Sequence, residues 1–192
     1  MTCEEVIRLA LRRIHERPGG VLAPVDEPTA GEYDAALADL QSLYDGWVSS
    51  GMFGRAVDIQ ISAAHEMEEG ERVFNATDDP VAITLPESLT DPVTGEARPP
   101  RDYTLARVAG AAPQTYIWSA PKGAWDKMTS LALTDAAPLA ERGSNGLAAN
   151  LAETMVGPGA LSPGVRSQSV AFRSLLSLKF DRPRVSARPD YF

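Results

Sequence analysis

Residues 29–50, TAGEYDAALADLQSLYDGWVSS, constrain the fold more than any other stretch of the chain. Tyr33, Leu37, Leu40, Leu43, Tyr44 and Trp47 recur every three or four residues, with Ala36 and Val48 on the same side. Asp34, Gln41, Ser42, Asp45 and Ser49 fall opposite, which is the period of an amphipathic helix. Thr29 with Glu32 reads as a capping box for the first free amides. Pro28 just before it and Gly51 just after the segment mark the two ends. About six turns of helix with two tyrosines and a tryptophan on one side cannot stand alone in water. Leu37, Leu40, Leu43 and Trp47 are therefore predicted core, and other elements must pack on them.

The flanking sequence supplies candidates. Thr2 and Glu5 form a second capping box, opening a helix to about Glu16 with an apolar stripe of Val6, Ile7, Ala10, Leu11 and Ile14. Glu4 and Arg8 can pair on its outside at i,i+4. Pro18-Gly19-Gly20 ends it, and the loop to Pro28 predicts an antiparallel helical hairpin over residues 1–54. After Gly51 the period changes from 3.6 to 2. Ala56 to Ile61 alternates as a half-buried strand does, with further strand candidates at 72–75, 81–85, 104–108 and 115–118. Turn signals separate them at Glu69-Gly70, at Asp78-Asp79-Pro80, in a loop over 91–100 and at 110–113. The expectation is a β-rich antiparallel insertion over 55–130.

The helical pattern returns in residues 131–180, a C-terminal pair completing the bundle. One helix is predicted over 139–156 with Leu147, Ala148, Leu151, Ala152 and Met155 on one face, although Gly143 and Gly146 weaken its start. Ser162 as N-cap and Pro163 as first helical residue open the last helix, to about Lys179. Its apolar residues spread over more than one face. Arg182-Pro183 and Arg188-Pro189 keep 181–192 extended, as a C-terminal arm. The fold class is α+β: a helical bundle with an inserted antiparallel β-rich region.

Composition and charge narrow the function. The 44% hydrophobic and 23% charged shares are those of an ordinary soluble domain, and no apolar run approaches the roughly 20 residues of a membrane span. Net charge is −8, which argues against a partner held by neutralised phosphates. That charge is uneven. Between Asp58 and Asp102 stand eleven acids against three bases, whereas from Arg166 onward there are six bases against two acids.

The search for chemistry yields little. Cys3 is the only cysteine; its first-turn position could favour a thiolate, but no His–Asn pattern accompanies it. His15 and His65 lack metal-ligand spacing. Residues 66–71 lack the spacing of a calcium loop. Gly143-Ser144-Asn145-Gly146 lacks the lysine of a phosphate loop. No catalytic residue, metal or cofactor is predicted from the residues themselves.

The layout resembles another class of protein. EEVIRLALRRI, a Pro/Gly-rich loop and EYDAALADLQSLYDGWVSSGMF, with Ala36, Leu37, Leu40, Leu43, Trp47 and Gly51, resemble the opening of head-to-tail adaptor (connector) proteins of tailed bacteriophages and gene transfer agents, which include the tail accessory factors of short-tailed phages. LALTDAAPLAERGSNGLAANLA over 131–152, then a Ser-Pro helix and a basic tail, looks like the gene-transfer-agent branch, in which a β-rich insertion separates two helical pairs. The resemblance implies a non-catalytic structural adaptor at the head–tail junction of a virion, assembled in the bacterial host cytoplasm. It would form a homo-oligomeric ring, usually dodecameric, under the portal protein. The ring would extend the DNA channel without sequence-specific binding and present a platform to the next tail component, a stopper or tail protein.

On that reading the acidic set Glu66, Glu68, Glu69, Glu71, Asp78 and Asp79 belongs to a channel or rim surface that repels phosphates. Arg182, Arg184, Arg188, Tyr191 and Phe192 make the arm a partner-binding segment, with spaced cations and aromatics to anchor it. Two other readings stand beside it. A virion-associated cell-wall hydrolase would need facing, partly buried carboxylates in a cleft. A small regulatory DNA-binding module would need a basic helix face, and the first two helices offset Arg8, Arg12, Arg13 and Arg17 with Glu4, Glu5 and Glu16.

Overall fold

The computed structural model describes residues 1–15, 27–53, 85, 87–88, 95–108 and 113–177, and the backbone of 59–62, 72–75 and 89–90. Four helices, two N-terminal and two C-terminal, pack together with a small three-stranded antiparallel sheet between them, an α+β fold. They are α1 (Cys3–Ile14), α2 (Ala30–Ser49), α3 (Ser144–Val156) and α4 (Pro163–Ser177).

Both capping boxes form. Thr2 Oγ1 accepts from the Glu5 amide while Glu5 Oε2 takes the Thr2 N–H at 2.8 Å, and Thr29 and Glu32 repeat the arrangement. Glu4 and Arg8 pair at 2.8 Å as their spacing predicts. Gly51 follows α2 with φ +69°, a conformation in which a side chain would be strained. Along α2 the predicted phase holds: Leu40 and Trp47 are buried, and Leu37 and Leu43 are partly buried against the same core. Gln41 departs from its expected solvent face. Its Nε2 donates to the Met128 carbonyl at 2.8 Å and its Oε1 accepts from the Leu131 amide, so it ties α2 to the chain leaving the sheet.

The strands are β1 (Ile59–Ser62), β2 (Arg72–Asn75), β3 (Leu89–Thr90), β4 (Ala97–Arg98), β5 (Leu105–Val108), β6 (Gln114–Ser119) and β7 (Ala124–Lys127). The antiparallel meander β5-β6-β7 pairs Leu105 with Ile117 and Trp118 with Trp125. β1 and then β2 extend it on the β5 side in parallel register, and β3 forms a separate antiparallel pair with β4, which lies inside the stretch expected as a loop. Nothing in Ala124-Trp125-Asp126-Lys127 alternates strongly enough to announce β7; pairing with β6 fixes it. The strand expected at 81–85 lies, but for Leu85, outside the described residues.

α3 starts later than its pattern predicts. Residues Ala140–Arg142 form a 3-10 turn, and Gly143 at φ +153° breaks it from the helix proper. Gly146 then serves packing: a Cβ there would stand 2.5 Å from the Cβ of Phe172, so glycine lets α4 close on α3. α3 is central, touching α1, α2 and α4. Ser162 caps α4 by accepting from the Val165 amide at 3.3 Å. The first residues are stitched to the segment after the sheet. The amides of Cys3 and Glu4 donate to the Asp135 and Leu133 carbonyls at 2.9 and 3.0 Å, and the Ala137 amide donates to the Met1 carbonyl.

Candidate functional site

The acidic set Glu66, Glu68, Glu69, Glu71, Asp78 and Asp79 and the arm residues Arg182, Arg184, Arg188, Tyr191 and Phe192 lie outside the described residues. The core set is placed. Trp47 meets Tyr44 edge-on with centroids 5.7 Å apart and reaches Phe172 of α4 at 6.2 Å. Tyr44, fully buried, donates its hydroxyl to the Pro138 carbonyl at 2.7 Å, and burial pushes its pKa well up. These residues join the two helical pairs.

The main polar constellation is one that sequence reasoning missed. It sits where the sheet meets the 3-10 turn before α3. Arg142, its side chain only 7% exposed, pairs with Asp102 and stacks over the Tyr103 ring at 4.8 Å. Asp102 also accepts from the Ala120 amide at 3.0 Å. Lys122, in the turn between β6 and β7, reaches Asp126 at 2.6 Å and Glu141 at 3.3 Å. Ser119 donates to Glu141 at 2.7 Å. Two residues with left-handed backbone, Tyr103 at φ +66° and Leu139 at φ +63°, adjoin the cluster. Such conformations persist in bulky side chains only when surroundings hold them.

The carboxylates respond differently to this environment. Burial raises the pKa of Asp126, with Lys122 opposing. Burial also acts on Glu141, but the hydrogen bond from Ser119 and the nearness of Lys122 outweigh it and hold that carboxyl below its usual value. Burial opposes the charge of Arg142, yet its bond to Asp102 keeps it protonated more firmly than usual. Two partly buried carboxylates thus share Lys122, beside an open depression of about 600 Å³ lined in part by Glu5, Lys122 and Glu141. Each is already committed to a cation or hydroxyl of the same fold. The cluster is chemically a joint that locks the sheet to the bundle, since a paired buried charge is costly to strip of its partner. Its only sequence trace is the Lys122–Asp126 spacing, which suggests nothing outside a helix.

A second polar seam lies between α3 and α4. Asn150 Nδ2 donates to the Gly146 and Ser169 carbonyls at 2.8 and 3.1 Å, Ser169 donates to Glu153, and Arg173 pairs with Glu153 at 3.3 Å. Cys3 is fully buried, its thiol pushed up to about 11 by burial and by Asp135. Among the described residues no three acids, histidines or cysteines are grouped to hold a metal ion, and no helix is long and apolar enough to cross a membrane. Compared with known proteins, the chain matches no family model and no curated protein sequence.

Proposed function

We propose that this chain is a structural head-to-tail adaptor of a tailed phage or phage-like particle, forming a ring under the portal that extends the DNA channel and supports the next tail component. The observation that carries this reading is the order of parts: a helical pair, an inserted small sheet and a second helical pair that returns to complete one core. That is the layout implied by the resemblance of the helical segments to connector proteins. Two features agree with it physically. A wall around moving DNA must not grip phosphates, and the chain's net charge of −8 repels them. A ring subunit must also be rigid between its two contact faces, and the Arg142 joint and the α3–α4 seam supply that rigidity.

The test is native mass and particle shape, alone and with a candidate portal ring. The expected result is a closed ring that co-sediments with the portal, with co-sedimentation lost on deletion of residues 181–192 while the melting temperature is kept. A chain that stays monomeric at all concentrations and never co-sediments overturns the proposal.

A further inference from the structure

The buried sides of α2 and α4 touch in the core, where Trp47 and Phe172 stand 6.2 Å apart. Their outer sides therefore point away from each other, and a single chain cannot bring them together. On α4 the outer side carries Val170, 54% exposed and one of the four large hydrophobics left exposed among the described residues. Helical spacing sets Val170 beside Ser167, Ala171 and Ser174, with Arg166 one turn earlier. All of these are exposed, and α4 has two arginines and no acid. Arg173 is engaged with Glu153, so Arg166 carries the positive charge of the outer side.

The outer side of α2 has the complementary character. Asp34, Ala38, Ser42, Asp45 and Ser49 are exposed along it, and the helix holds four acids and no base. None of these side chains is long, so another helix can approach closely, toward the short end of the roughly 8–10 Å range of packed axes. An exposed valine between small residues gains by covering only where the opposing surface is equally shallow.

We infer that α4 of one copy seats its outer side on the outer side of α2 of the next copy, Val170 against Ala38 and Ser42, Arg166 toward the α2 aspartates. This rests on the ring reading above and assigns the surface that makes the ring. The contact joins two different faces, so it repeats head to tail, and a constant rotation closes it. The opposite charges fix polarity, because α4 against α4 would set arginine against arginine and α2 against α2 would set aspartate against aspartate.

Two single-cysteine replacements test it, since native Cys3 is buried and does not compete. Ala38→Cys and Val170→Cys chains are prepared separately as monomers, then treated with a short bismaleimide alone and after mixing. The expected result is covalent dimer in the mixture and little in either alone, with the double replacement giving a ladder that ends at the ring number. If Val170→Cys couples to itself, or the mixture gives no adduct while native mass still shows a closed ring, the α2–α4 contact is wrong and the ring reading stands. A wild-type chain that remains monomeric alone and with the portal ring overturns both.

Discussion

Cys3 and Trp47 show how position within the core decides what a side chain can do. The first turn of a helix can favour a thiolate, yet Cys3 is wholly covered, and loss of solvent with Asp135 nearby moves its pKa from the ordinary 9.0 to about 11. Native Cys3 is expected to resist a thiol reagent at pH 8 and to react at once in denaturant; rapid reaction of the folded chain would show the site is open. The linkage has a definite sign. The folded state holds this proton more tightly, so its contribution is complete below pH 9 and is lost as pH rises toward 11. Trp47, 5% exposed and in contact with both Tyr44 and Phe172, should cost roughly 3–5 kcal/mol when cut to alanine, as large aromatic truncations do. A urea midpoint near that of wild type would contradict this.

Between elements, two contacts add to what the shared apolar core provides. Gly146→Ala should destabilise despite the better helix propensity of alanine, because overpacking costs about 1–3 kcal/mol against a gain of at most about 1, and the new Cβ meets Phe172 at 2.5 Å. A melting temperature at or above wild type would mean that α4 gives way. Arg142→Ala removes the guanidinium that pairs with Asp102 and stacks over Tyr103 and should cost on the order of 3 kcal/mol. The near-ultraviolet signal of the cross-strand Trp118–Trp125 pair should weaken before the far-ultraviolet helical signal does, if the sheet detaches first; simultaneous loss would make the joint no weak point. These positions explain what the sequence shows plainly and what it hides. The capping residues of α1 and α2, the stripe of α2 and the Ser162-Pro163 start of α4 act within a few residues of themselves, so local pattern reveals them. Gly146 looks like a helix weakener until Phe172 is seen against it. The Arg142 cluster draws on residues 102, 119, 122, 126 and 141, and no local period connects them. β7 is similarly a product of its neighbour.

Over the whole molecule, the first and last thirds complete one another, since α1 packs chiefly on α3 and the first amides of α1 are met by the Leu133 and Asp135 carbonyls. A chain ending at residue 130 lacks both the helix and the carbonyls that α1 needs. It should be recovered mainly in the insoluble fraction, and a soluble fragment with a cooperative melt would show that the N-terminal pair stands by itself. The same stitching has a meaning in time. Synthesis proceeds at roughly 5–20 residues per second, so α1 and α2 leave the ribosome on the order of ten seconds before α3 is available to cover them. For that interval Tyr44 and Trp47 lack the Pro138 carbonyl and the Phe172 ring that meet them in the folded chain. Apolar surface left open for that long is prone to aggregate, so the yield of folded protein is expected to fall when many copies are translated together, a loss that pulse-chase recovery of soluble chain at rising expression levels would measure.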